Sequence, residues 1–156
     1  MEAFDELNMI ILRLRAEGGC PWDREQTHLT LKAPCIEEAA ELVSAVNILE
    51  KTGNAENLKE ELGDLLMLIV MHARIAEEEG LFTIEDVARG VSEKMIRRHP
   101  HVFGDTAADT AEEVLVNWEK IKAREKEGKI DDRTYLAEAF DESAELIGHA
   151  RRRKGL

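Results

Sequence analysis

The sequence predicts an all-α fold, a helical bundle. Three observations carry that prediction. Apolar residues recur at three- and four-residue intervals along most of the chain, strand-type alternation is nearly absent, and glycine or proline interrupts the periodic stretches. The chain has 156 residues, the size of one domain. It is 44% hydrophobic but only 4% aromatic, so its core must be built from Leu, Ile, Val, Met and Ala.

The elements follow in order. Phe4, Leu7, Ile11 and Leu14 define an amphipathic helix over 2–17, stopped by Gly18 and Gly19. Residues 18–32, with Pro21 inside, read as a loop or irregular crossing. A second helix spans about 34–51; Pro34 suits its first turn, and Ile36, Ala39, Val43, Val46 and Leu49 form its apolar face. Thr52-Gly53-Asn54 breaks the pattern. The third helix, about 55–79, is apolar on every side from Leu65 to Met71, which predicts a central, buried element. Gly80 ends it.

Thr83-x-x-Asp86 resembles a capping box and opens a fourth helix, with Ile84, Val87, Val91 and Met95 inward, that stops before Pro100. Thr110-x-x-Glu113 is a closer match to that motif and opens a fifth, with Val114, Trp118 and Ile121 inward and Gly128 after it. A last amphipathic stretch carries Leu136, Phe140, Ser143 and Ile147 and ends in Arg151-Arg152-Arg153-Lys154. This divides the chain into a main domain, 1–127, and a helical extension with a basic end, 128–156.

The formal net charge of −12 argues against duplex DNA or an anionic membrane as the main partner. It leaves room for a small polyphosphate, because a metal and a few basic side chains reverse the local field. The longest apolar run, Leu65 to Met71, is too short to span a bilayer, and residues 1–17 lack the pattern of a signal peptide. Cys20 and Cys35 have no metal-type spacing, so two free thiols in a reducing cytoplasm are expected.

Two acidic triplets of identical spacing dominate the chain: Glu37-Glu38-x-x-Glu41 and Glu60-Glu61-x-x-Asp64. Glutamates on a helix are ordinarily a solvated face. Three features set these apart. At about 100° per residue each triplet falls within an arc of about 100°, where like charges repel. Each acidic stripe then runs into apolar or small residues: Met67, Leu68, Met71 and Ile75 on one helix, Ser44, Ala45 and Ile48 on the other. Finally, a turn near Gly53 puts Glu41 and Asp64 at the same level, each ~14 Å from the turn at ~1.5 Å per residue. An antiparallel hairpin would bring the triplets together at the mouth of a buried seam, where carboxylates need a cation.

Oxygen ligands without His or Cys at ligand spacing favour Mg²⁺, or Mn²⁺, over Zn²⁺ or Cu²⁺. A di-iron bundle needs two Glu-x-x-His motifs; the one match, Glu25-x-x-His28, lies in the irregular segment. Basic and aromatic groups at helical spacing complete the candidates. Lys94 and Arg98 share a face of the fourth-helix segment, and Trp118 and Lys122 a face of the fifth. They suit phosphates and a base; helix-end charge and core packing are the alternatives. His72 reads as a hydrogen-bonded core histidine.

These blocks resemble the MazG family of all-α nucleoside triphosphate pyrophosphohydrolases over roughly residues 1–127. The resemblance rests on Gly19-Cys20-Pro21-Trp22-Asp23 with Glu25-Gln26-Thr27, on the two acidic triplets with Leu62-Gly63, on Arg97-Arg98-His99-Pro100-His101-Val102-Phe103, and on Trp118-x-x-x-Lys122. It implies that Glu38, Glu41, Glu61 and Asp64 hold Mg²⁺. It implies nucleotide contacts from Lys94, Arg98 and Trp118, with Lys122 a weaker candidate. Glu37 and Glu60 would support the ligands, or one of them would position the attacking water.

The family fold is a helical bundle that dimerises intimately, so a homodimer or higher homo-oligomer is expected. Many relatives carry two such domains; this chain has one, most like the amino-terminal copy, and its tail after Gly128 departs from the longer members. The implied activity is hydrolysis of nucleoside triphosphates to monophosphate and pyrophosphate, with housecleaning of non-standard nucleotides as a narrower form. The rival reading is a non-catalytic, metal-binding helical dimer with a structural or regulatory role.

Overall fold

In a computed structural model of the chain, residues 2–126 and 133–156 are described. All regular structure among them is helical: α1 (Glu2–Arg15), α2 (Pro21–Glu25), α3 (Lys32–Thr52), α4 (Glu56–Glu78), α5 (Ile84–Arg98), α6 (Pro100–Phe103), α7 (Ala111–Glu125) and α8 (Arg133–Arg153). The all-α class therefore holds. Two short helices were not expected. Pro21 occupies the first turn of α2, where its missing N–H is harmless, and Pro100 does the same for α6. Gly128 and the expected boundary at 127/128 lie outside the described residues.

The chain forms two compact units. The first comprises residues up to Thr83 together with Tyr135–Leu156, and the second Ile84–Thr134. The spine of the first unit is the antiparallel α3/α4 hairpin. Its turn needs Gly53, whose φ of 73° lies in the left-handed region and whose N–H bonds back to Leu49 O at 2.8 Å. Asn54 Oδ1 then accepts from the N–H of Glu56 at the head of α4.

The core of this unit is Ile11 of α1, Leu31, Ala45 of α3, and Leu68, Val70, Met71, Ala73, Ile75 and Ala76 of α4. Each large member contributes about 1.5–3 kcal/mol by leaving water. A half-buried cation clamps α1 in place. The Arg15 side chain, 7% exposed, pairs with Glu78 of α4 at 2.7 Å and donates to the carbonyls of Asp23 and Gln26. Its hydrogen bond holds the Glu78 carboxyl below the usual carboxylate range. Gly19 is required beside this clamp, because a Cβ there would stand 2.2 Å from Leu14 O.

The burial pattern corrects the reading of α4 as wholly buried. Leu62, Leu66 and Ile69, one stripe at i, i+4 and i+7, are 52%, 38% and 49% exposed. The expected inward face of α3 is open as well: Ala39, Val43 and Val46 are exposed, while buried Ala45 belongs to the seam with α4. A hydrophobic stripe marks a face that wants covering, and within one chain α4 has more such faces than neighbours. Leu136, Phe140 and Ile147 of α8 are exposed too; its half-buried positions are Ser143, Leu146, Gly148 and Ala150.

In the second unit α5 packs with α6 and α7. Thr110 and Glu113 form the expected capping box at the start of α7, with bonds of 3.2 and 3.3 Å. Val114, Trp118 and Ile121 are half-buried as expected, but Val87 and Val91 of α5 are exposed.

Candidate metal centre

The hairpin brings the acidic triplets together. Glu38 of α3 and Glu61 and Asp64 of α4 each offer a carboxylate oxygen, and the three oxygens lie within 4.8 Å of one another. All three residues are half-buried. The anticipated seam lies below them, where the stripes continue into buried Ala45, Leu68, Met71 and Ile75. A cavity of about 180 Å³ opens alongside, lined by Glu41, Glu61, Ser44, Ile48 and Asn57.

These charges have little compensation: Lys154 attracts Glu61 from a distance, the weakest of the influences on it. Burial raises the Glu38 carboxyl above its ordinary value, and Glu41, Asp64 and Glu61 push it further. Glu61 is raised in the same way, by desolvation first and then by Glu41 and Asp64. Among the described residues none of the three acids has an ion-pair partner at salt-bridge distance. Three close carboxylate oxygens, partly desolvated and short of positive charge, fit a hard divalent cation.

The other members of the triplets behave differently. Glu41 takes the Lys154 ammonium at 2.5 Å. Glu37 takes Lys154 at 3.1 Å and the Arg153 guanidinium as well, and the Arg153 hydrogen bond pulls its carboxyl below the usual range. Glu60 is exposed and, among the described residues, forms no ion pair.

The expected nucleotide contacts fall in the second unit, and most are already engaged there. Arg98 stacks over Trp118, its guanidinium carbon 5.3 Å from the ring centroid, and binds Glu125 at 2.6 Å. Arg97 takes the other oxygen of Glu125 at 3.1 Å, so two guanidinia share one carboxylate. The Arg98 hydrogen bond lowers the Glu125 carboxyl. The His99 ring meets Trp118 edge-on, with centroids 5.0 Å apart, and the buried Nδ1 of His101 has no hydrogen-bond partner among the described residues. Lys122 reaches Glu119 at 3.4 Å, and Lys94 is half-buried on α5 one turn before Arg98.

His72 is hydrogen-bonded, as read from the sequence. Its Nδ1 lies 2.8 Å from Nδ1 of His28, the two rings stack, and its Nε2 is 3.5 Å from Cys35 Sγ. Burial and the neighbouring His28 lower its pKa, and burial raises that of the Cys35 thiol. His28 thus serves this pair.

Residues that local reading missed are Lys154, Arg153 and Glu125. The basic end of the chain was visible as a charge run, but its partners lie more than 110 positions away. No spacing rule reaches that far.

The family model of the MazG nucleotide pyrophosphohydrolase domain matches residues 26–103. The chain belongs to this family. The matched segment includes all the acids of the site together with Lys94 and Arg98; α7 and α8 lie beyond it. The nucleoside triphosphate pyrophosphohydrolase/pyrophosphatase MazG of Thermotoga maritima is 52% identical over 130 residues, which are 83% of this chain and 48% of that protein. The nucleoside triphosphate pyrophosphohydrolase of Escherichia coli K12 is 43% identical over 130 residues, with the same shares. Protein YabN of Bacillus subtilis is 49% identical over 123 residues, 79% of this chain and 24% of that one. The chain thus spans about half the length of the first two relatives and a quarter of the third.

Proposed function

We propose that this domain hydrolyses nucleoside triphosphates between the α and β phosphates, using Mg²⁺ or Mn²⁺ held by Glu38, Glu61 and Asp64, with Glu41 as a fourth ligand. The observation that carries this is the meeting across α3 and α4, within 4.8 Å, of three carboxylates that have no direct ion-pair partner among the described residues. The family and the activity named for the Thermotoga and Escherichia relatives point the same way.

When bound, the cation supplies Lewis-acid polarisation of the α-phosphoryl oxygens and neutralises phosphate charge. The chain's own groups do the rest. The three acids fix the position at which the triphosphate docks. Glu60, exposed and free of an ion pair among the described residues, orients the attacking water and receives its proton. The water oxygen bonds to the α phosphorus, the bond from that phosphorus to the αβ-bridging oxygen breaks, and pyrophosphate leaves with the electron pair. Glu37, held by Arg153 and Lys154, is a weaker base and serves the electrostatics of the site. Lys94 and Arg98 offset charge on the phosphates, and Trp118 stacks on the base with Lys122 beside it. Arg98 must exchange Glu125 for phosphate, and Trp118 can offer only the face that Arg98 leaves open.

Incubation with common and non-standard nucleoside triphosphates and Mg²⁺ tests the reaction. Pyrophosphate and monophosphate are the expected products. Orthophosphate alone would refute the bond assignment, and preference for damaged or non-standard bases would give the activity a housecleaning role. Metal-dependent melting without turnover of any nucleotide would instead establish the non-catalytic reading.

We also propose that the domain is a homodimer or higher homo-oligomer. The open stripes Ala39/Val43/Val46 and Leu62/Leu66/Ile69 support this, since a contiguous apolar face left in water is rarely kept. Light scattering on the wild type should give at least twice the chain mass, and Ile69→Glu should reduce it to one. A monomeric wild type would refute the assembly.

A further inference from the structure

The end of α8 and the residue just after it set two cations against the acids of α3. Lys154 Nζ lies 2.5 Å from Glu41 and 3.1 Å from Glu37, and Arg153 binds the second oxygen of Glu37. Lys32 of α3 meets Glu142 at 2.9 Å and ties the middle of α8 to the same helix. Yet the end of α8 is not close-packed on α3. A groove of about 260 Å³ separates them, walled by Ile36, Ala40, Ile147 and Ala150, so the terminal contact is carried by charge.

Glu41 is close enough to the acid cluster to raise both Glu38 and Glu61, and it shares a cavity wall with Glu61. It is nevertheless not among the three whose oxygens converge. What distinguishes it is its ammonium partner.

We propose that Lys154 is a positioning residue of the metal centre: its ammonium holds Glu41 out of the Glu38–Glu61–Asp64 cluster as an exchangeable counter-cation, which a divalent cation displaces to gain its fourth carboxylate. The proposal rests on the metal reading above. A lysine suits exchange better than an arginine. Its ammonium is a strongly hydrated point charge on a flexible stem, whereas a guanidinium binds a carboxylate in a fixed fork. The Lys154 side chain is 39% exposed, so its pair is screened and weak, and a divalent ion among four carboxylates outcompetes it. Arg153 stays on Glu37 and keeps the α8 end docked while Lys154 moves. The metal-free protein is thereby spared a fourth naked carboxylate at the site.

The test is Mn²⁺ titration by calorimetry, without nucleotide and at fixed ionic strength, on wild type, Lys154→Gln and Lys154→Arg. Lys154→Gln frees Glu41 and should bind Mn²⁺ about three- to tenfold more tightly, while Lys154→Arg keeps the pair and should stay at or below wild-type affinity. In wild type, labelling of Lys154 by an amine-reactive reagent, read by mass spectrometry, should rise at saturating Mn²⁺. Unchanged or weaker binding by Lys154→Gln, or labelling indifferent to Mn²⁺, overturns the proposal. Asp64→Asn separates the two readings. If wild type binds Mn²⁺ and Asp64→Asn does not, the metal centre stands whatever Lys154 does; if wild type binds none, both fall.

Discussion

Glu61 in the first unit and Glu125 in the second carry the same side chain in opposite electrostatic states. Glu125 is met by two guanidinia, at 2.6 and 3.1 Å, and its carboxyl is held below the usual range by the Arg98 hydrogen bond. Glu61 is met by Glu38 and Asp64 instead, and desolvation and repulsion raise it. A carboxylate whose charge is answered inside the fold acts as a strut. One whose charge is left unanswered, at a partly buried position, stores a demand for a ligand. The acidic triplets divide along the same line: Glu37 and Glu41 are ion-paired with Arg153 and Lys154, while Glu38, Glu61 and Asp64 have no direct ion-pair partner among the described residues.

The sharpest way to break this contrast is to remove one unanswered charge. Asp64→Asn should lower metal-dependent turnover by about 100-fold or more, through loss of a ligand, with circular dichroism unchanged. A steady-state assay over a range of Mg²⁺ concentrations checks it; a variant as active as wild type would remove Asp64 from the site. Next in size is loss of an answering charge. Arg15→Met leaves two carbonyls without their donor and Glu78 with Arg74 alone, and should cost about 2 kcal/mol in urea unfolding.

Neutralising an unanswered acid should have the opposite sign. Glu61→Gln should stabilise the metal-free protein by about 0.5 kcal/mol, because it relieves repulsion, and should abolish the rise in melting temperature that Mg²⁺ gives wild type. If Glu61→Gln destabilises the metal-free protein, the cluster is not under strain. The smallest expected effect concerns pH. His72 is depressed below its ordinary value of 6.5 by burial and by His28, so the unfolded chain binds its proton more readily. Its contribution is present above pH 6.5 and is lost as pH falls from there toward the folded value. Melting curves from pH 7.5 to 5 should show this loss, and His72→Gln should flatten it.

The legible part of this molecule was local or one turn away. Helical periodicity gave the main helices, and Gly53 with matched residue counts on either side gave the level at which the two acidic triplets meet. The short helices α2 and α6 were not legible, because four or five residues carry no period. Leu66 and Ile69 were misread as core for a related reason: a pattern shows that a face is apolar and does not show what covers it.

By itself, then, the sequence determined which segments are helices, where α3 turns into α4, and that the two acidic triplets meet across that turn, since each depends on spacing along one or two adjacent elements. Only the tertiary structure decided which of those acids converge and which are ion-paired. Arg153 and Lys154 come to Glu37 and Glu41 across more than 110 residues, and Glu125 claims both Arg97 and Arg98. Ion pairing is set by distance in space, and a chain of many acids and bases offers each of them many partners until packing selects one.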